Sequence, residues 1–375
     1  DILGEWRVST PENVRGFSGV GYFLGCALNR ELKVPIGVID ASYRYSYPRN
    51  WMPHAAFKMI PELSKPRERM ESWDSTTPTG KAAFATSIAQ VEAWLPKAQL
   101  AFQSRKPIPD QPVCPAPLNA TDQNYLSISE LSLQYQGMIH PLIPMRIRGV
   151  IFSIGESSCL EPAKLFFYLK GLVESWRQAW GQGDFPFYFE LLPQVNTPAT
   201  QADSLDSWAV MRMEQIKALS LPNTAAAVTY DVSDYVSDGR NRQDPGERFA
   251  RIALAREYGR KLIASGPTYR LVRFDGDHAV VTYTNVGSGL IVGEKKGLLP
   301  LVEVKAGTLR GFAIAGPDKK WHWAEAKIVG ETVELRSPQV PQPRFVRYAC
   351  SANPVAANLY NRDGLPAVPF RTDER

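Results

Sequence analysis

Four histidines and four cysteines are the scarce reactive side chains of this 375-residue sequence. His278 adjoins an Asp-Gly-Asp turn and His322 lies between Trp321 and Trp323, so both read as structural. His54 and His140 remain, and His140 directly precedes an apolar run. Cys26, Cys114, Cys159 and Cys350 form no CxxC pair, so no zinc or thioredoxin-type site is expected, and no cofactor is implied. They read as free buried thiols, with one or two disulfides open to an exported chain. The richest local constellation is Tyr43-Arg44-Tyr45-Ser46-Tyr47-Pro48-Arg49-Asn50-Trp51, where aromatic and basic side chains alternate. Such a loop could stack on sugar rings, dock a protein partner, or simply plug a vacated pocket.

Composition narrows the classes. With 44% apolar and 22% charged residues the chain is globular. Lys and Arg total 43 against 38 Asp and Glu, a net +5 spread along the sequence without like-charged blocks. Nucleic acid is not an expected partner on that charge. The stretch Leu142–Ile154 is interrupted by Arg146 and Arg148, and no run approaches the ~18 apolar residues of a membrane span. Residue 1 is Asp, so the sequence reads as one whose leader was removed or that begins partway through a longer protein.

The elements that must position these residues follow an alternating rhythm. Val34–Ala41, Ile147–Ile154, Pro186–Leu192 and Ala225–Val232 are short, apolar and β-rich, and read as buried parallel strands. Helices are expected over Gly16–Leu32, Pro162–Trp180, Ser204–Ser220 and Pro245–Ile263. That rhythm predicts a doubly wound α/β layer over residues 1–264. An insertion at about residues 54–124 interrupts it, with a charged run Lys65–Glu71, one helix at Lys81–Leu100 and a Pro-rich loop. Asn119-Ala120-Thr121 is a glycosylation sequon, meaningful in a eukaryotic secretory context. Residues 265–375 change texture. A hairpin around Asp275-Gly276-Asp277 and strands at Arg310–Ala315, Trp321–Ile328, Thr332–Arg336 and Arg344–Ala349 predict a β-sandwich-like module.

Several segments together resemble the sialate O-acetylesterase family of SGNH-type carbohydrate esterases. They are Phe17-Ser18-Gly19-Val20-Gly21-Tyr22-Phe23-Leu24-Gly25, Val34-Pro35-Ile36-Gly37-Val38-Ile39, and Arg148-Gly149-Val150-Ile151 with Gly155-Glu156-Ser157. Trp180–Phe189, Arg212-Met213-Glu214-Gln215, Leu221-Pro222-Asn223-Thr224 and the closing segments Asn358–Asn361, Gly364–Ala367 and Pro369–Asp373 continue it. The resemblance implies the SGNH-hydrolase-like sheet, a Ser-His(-Asp) hydrolase removing acetyl groups from sugar hydroxyls, and an exported, periplasmic or extracellular, location. It also adds Glu156, Arg212 and Gln215 to the loop residues Tyr43, Arg44, Tyr45, Tyr47, Arg49 and Trp51 as candidate binding residues.

The residues that should perform that chemistry are altered. The family's GQSNM-type nucleophile segment has no counterpart in Asp1–Arg15, and Ser9 and Ser18 read instead as a helix cap and a helix-packing residue. Where the family has SWGGT, this chain has Ser42-Tyr43-Arg44-Tyr45-Ser46, which puts side chains where glycine lets backbone approach substrate. The family asparagine of the third block is Ser158, a shorter donor. The histidine of the family IHP motif aligns with Asp238, and a carboxylic acid of pKa about 4 is a poor base toward serine. His140 is the one substitute base the sequence offers. The expectation is a catalytically degenerate relative acting as a carbohydrate-binding, structural or assembly component. The rival is an active carbohydrate O-acetylesterase whose nucleophile lies upstream of Asp1.

Overall fold

A computed structural model describes residues 4–44, 46–112, 131–155, 161–232 and 241–373. They fall into two compact units. One comprises Tyr43–Arg146 and Phe167–Gly183, the other Gly4–Ser42, Ile147–Phe166 and Asp184–Arg375.

In the larger unit three expected strands form a parallel sheet in the order β1 (Val150–Ser153), β2 (Phe187–Glu190), β3 (Thr224–Ala227). Ile151, Tyr188 and Ala225 share one row of the register. Helices α1 (Gly19–Leu32) and α7 (Gln243–Arg256) cover that face: Val20, Leu24, Phe249 and Ile252 pack on Tyr188, Ala225 and Ala227. Gly246 lets the two helices meet, because a Cβ there would lie 2.7 Å from the Val20 carbonyl oxygen. Helix α7 stops at Arg256 rather than Ile263, and Gly259 turns the chain at φ +65°.

Val34–Ala41 is not a strand in the structure. Pro35 offers no ladder donor. The segment's apolar atoms are used on α1 instead: a Cβ on Gly21 or Gly25 would sit 3.1 or 3.3 Å from the Val38 methyls. Val34 and Ile39 are left 48% and 40% exposed.

The C-terminal part is antiparallel, as expected. One sheet runs β10 (Glu325–Val329), β11 (Thr332–Arg336), β5 (His278–Thr284), β4 (Thr268–Asp275). A second runs β14 (Phe370–Arg371), β12 (Phe345–Tyr348), β8 (Phe312–Ala315), β9 (Trp321–Trp323). A small third sheet joins β13 (Leu359–Asn361), β6 (Leu290–Glu294) and β7 (Val302–Glu303). Alternate residues of the two larger sheets (Val281, Val333, Leu335, Ile314, Val346) share one core. The hairpin turns at Gly276, φ +60°. The stretch expected as one strand over Trp321–Ile328 divides at Ala324, whose N–H donates to the Phe312 carbonyl, and its halves enter different sheets.

An ion cluster closes the second sheet. Arg347 and Arg371 each donate two hydrogen bonds to Asp373, 2.6–3.2 Å long. Burial raises the Asp373 pKa, but the hydrogen bonds and charges of the two guanidiniums outweigh it and hold the carboxyl well below the usual range. A depressed folded-state pKa contributes stability above the unfolded value near 4, and that contribution disappears as pH falls below it. Urea midpoints of the wild type are therefore expected to drop more steeply than those of Asp373→Asn as pH falls below about 4. Parallel profiles would show that the cluster does not couple folding to protons.

The smaller unit holds α2 (His54–Met59), α3 (Ser64–Trp73), α4 (Pro78–Gln103) and most of α5 (Leu165–Trp180). Only α4 was expected within the insertion. Its start is fixed by Thr77, whose hydroxyl accepts from the Gly80 N–H, with Pro78 in the first turn. Tyr168, Leu169, Leu172, Val173 and Trp176 recur at helical spacing along α5 and are buried. Gly171 lets α5 approach Met52, whose methyl would lie 2.6 Å from a Cβ there.

Candidate functional site

The carboxyl ends of parallel strands are where α/β sheets present their reactive loops. In the larger unit β1 and β2 end in register on Ser153 and Glu190. The Ser153 hydroxyl donates to Glu190 Oε2 at 2.5 Å. Burial pushes the Glu190 carboxyl pKa up, while the Ser153 hydrogen bond and the positive charge of Arg242 oppose that rise. Arg242 in turn lies against the start of α1, where a Cβ on Gly19 would meet its Cβ at 2.9 Å. Ser18 is the N-cap there. Its hydroxyl accepts from the Gly21 N–H at 3.2 Å, and its own N–H donates to Asp40 at 2.9 Å. So Ser18, not Ser9, caps the helix. The Asp40 carboxylate also accepts from the Ser42 N–H and hydroxyl. Asp40, Ser18, Gly19 and Arg242 thus lie in succession beside α1, and the Arg242 charge acts on Glu190 at the end of β2.

Two predicted binding residues support that edge from below. Arg212 and Gln215, on α6 (Ser207–Lys217), are both 0% exposed. Gln215 donates to the Glu190 carbonyl and accepts from the Leu192 N–H, each at 2.8 Å, and so fixes the end of β2. Arg212 donates to the carbonyls of Leu192, Pro193, Ser351 and Ala352. Burial lowers its pKa to about 10, which leaves it charged at neutral pH. These side chains are committed to backbone, and their chemistry is to position.

The aromatic-basic loop belongs to the smaller unit and divides by residue. Tyr43 is 49% exposed and Arg44 is exposed too. Tyr47 and Trp51 face inward. The Trp51 indole N–H donates to the Ser46 hydroxyl at 2.9 Å, and its carbonyl accepts from the Trp176 indole at 2.8 Å. Arg49 places its guanidinium 4.6 Å from the Tyr47 ring centroid. Of the candidate loop residues described, Tyr43 and Arg44 are open to solvent, whereas Tyr47 and Trp51 serve the core.

Tyr45, Glu156, Ser158 and Asp238 lie outside the described residues, as do Cys114, Cys159 and the sequon at Asn119. His140 is exposed, its ring edge-on to Tyr135 at 6.1 Å. His322 pairs within the β8–β9 ladder and His278 contacts Asp277 at 2.6 Å. Cys26 is free and exposed; Cys350 is free and buried, its thiol pushed up to about 12 by burial. Among the described residues no three His, Cys, Asp or Glu side chains gather as a metal site.

Ser153, Glu190, Arg242 and Asp40 were not singled out in the sequence. Their signal is modest: Ser153 and Glu190 are polar residues near the carboxyl ends of apolar strand-like runs.

No protein-family model matches the chain. The sialate O-acetylesterases of Homo sapiens and Pongo abelii are each 30% identical to it over 159 residues, covering 37% of this chain and 30% of each relative. A crystal structure of a carbohydrate acetylesterase from Xanthomonas citri superposes with a TM-score of 0.74 at 29% identity, covering 100% of this chain and 69% of that one. The chain is similar to the sialate O-acetylesterases over part of its length. Its match spans under a third of the length of the curated relatives. As a sialate O-acetylesterase-like protein it has the parallel sheet with helices and the antiparallel C-terminal sheets expected from the resemblance. No helix among its described residues is long and apolar enough to cross a membrane.

Proposed function

We propose that this sialate O-acetylesterase-like protein is an exported carbohydrate-binding component in which the family's hydrolytic machinery has degenerated. The observation that carries the reading is the Ser42–Ser46 loop. Arg44 and Tyr45 stand at the glycines of the family's SWGGT segment, and Arg44 is an exposed side chain beside exposed Tyr43. An oxyanion hole needs backbone N–H groups brought within about 3 Å of the developing charge, and side chains at those positions obstruct that approach. Asp238 at the histidine position and Ser158 at the asparagine position support the same reading, since neither restores a neutral-pH base or an amide donor. The relatives' names, sialate O-acetylesterase and carbohydrate acetylesterase, support a carbohydrate as the bound class.

The test is titration calorimetry of the full-length protein with O-acetylated sialic acid and with acetylated xylan oligomers. Saturable heat with at least one of them is expected. The absence of binding to both would overturn the proposal.

A further inference from the structure

The Ser153–Glu190 pair stands at the carboxyl end of two neighbouring parallel strands. Two side chains, 37 positions apart in sequence, end neighbouring parallel strands and meet at 2.5 Å on the edge where α/β sheets hold ligands. Ser153 is exposed and Glu190 is partly buried. Among the described residues neither side chain makes a second hydrogen bond, although a carboxylate and a hydroxyl offer several acceptor positions. Among the described residues the carboxylate thus uses one of about four acceptor positions. The strand end that carries it is held in place by Gln215 on the Glu190 carbonyl and by the Thr229 hydroxyl on the Leu191 carbonyl. Among the described residues it is a fixed group with further acceptor capacity.

The direction of the existing bond determines what can bind. Because the Ser153 proton is committed to Glu190 Oε2, the pair presents acceptors outward: the remaining carboxylate oxygen and the serine lone pairs. Ester carbonyls are acceptors and gain nothing there. Adjacent sugar hydroxyls are donors and can fill both positions. We propose that Ser153 and Glu190 form a subsite for two neighbouring hydroxyl groups of a carbohydrate, with Arg242 at its side supplying a positive charge. This rests on the carbohydrate-binding reading above and specifies which groups of the sugar are read. Donors arriving from the sugar also favour the ionised carboxyl against the burial that opposes it.

Calorimetry of full-length wild type, Ser153→Ala, Ser153→Thr and Glu190→Gln with O-acetylated sialic acid and acetylated xylan oligomers tests this. Glu190→Gln removes a charged acceptor and is expected to weaken binding about tenfold or more, and Ser153→Ala by a few-fold. Ser153→Thr keeps the hydroxyl and is expected to bind like wild type. Thermal melts report whether each variant is folded. If Glu190→Gln does not fold, the Ala and Thr variants decide by themselves. Wild-type affinity in folded Glu190→Gln or Ser153→Ala would overturn the subsite while leaving the carbohydrate reading standing. No binding by wild type would overturn both.

Discussion

Arg212→Met is expected to destabilise the protein by about 4 kcal/mol or more, since each buried carbonyl left without its donor costs roughly 1–3 kcal/mol. The side chain is fully buried, and its guanidinium spans the Leu192 and Pro193 carbonyls on one side and those of Ser351 and Ala352 on the other. The contacts at 2.8–2.9 Å to Leu192, Ser351 and Pro193 are short and well formed. Methionine replaces the volume but donates nothing. Lysine can reach fewer carbonyls and lacks the planar fork, so Arg212→Lys is expected to fall between methionine and wild type. Urea unfolding monitored by tryptophan fluorescence reads the effect. A methionine variant within about 1 kcal/mol of wild type would mean that the loops re-satisfy themselves and that Arg212 is not their fastener.

Arg248→Ala is expected to cost roughly 3–5 kcal/mol, because it strands a buried carboxylate. Arg248 on α7 donates to both oxygens of Asp231 at 2.6 and 2.7 Å and also to the Val228 carbonyl. The two side chains are 9% and 3% exposed. The Tyr360 hydroxyl donates to the same carboxylate at 3.2 Å, which ties the end of β3 to the antiparallel sheets. Among the described residues, one weak donor then remains against a buried charge. The double variant Asp231→Leu with Arg248→Met removes both charges and is expected to recover much of the loss, since an apolar pair often replaces a buried ion pair at little cost. Equal stability of the single and double variants would contradict the stranded-charge explanation.

How much of this was visible in the sequence depends on the range of the contacts. Strands β2 and β3 were legible because a strand buried on both faces must be a short apolar run, and half-buried β1 because Val150-Ile151-Phe152 continues the same apolar pattern. Val34–Ala41 carries the same signature, but its Val38 methyls are used on the glycines of α1, a contact that apolar periodicity cannot distinguish from sheet packing. Helices α2 and α3 were missed because little in residues 54–73 reads as an amphipathic helix; Met52, which lies just ahead of them, meets α5 at Gly171, far along the chain. The family motifs drew attention to Arg212 and Gln215, yet their work on backbone carbonyls became apparent only with the β2 end in place. Ser153 and Glu190 were invisible as a pair, because each is an ordinary polar residue until the parallel register sets them side by side.

The central claim is that the protein holds O-acetylated carbohydrate without hydrolysing it. Acetate release by the full-length protein, incubated at neutral pH with O-acetylated sialic acid and with acetylated xylan, tests it most directly when run beside a serine-reactive fluorophosphonate probe. The account predicts acetate at the level of the protein-free blank and no labelled serine. Acetate release proportional to protein concentration, with a labelled serine, would contradict it.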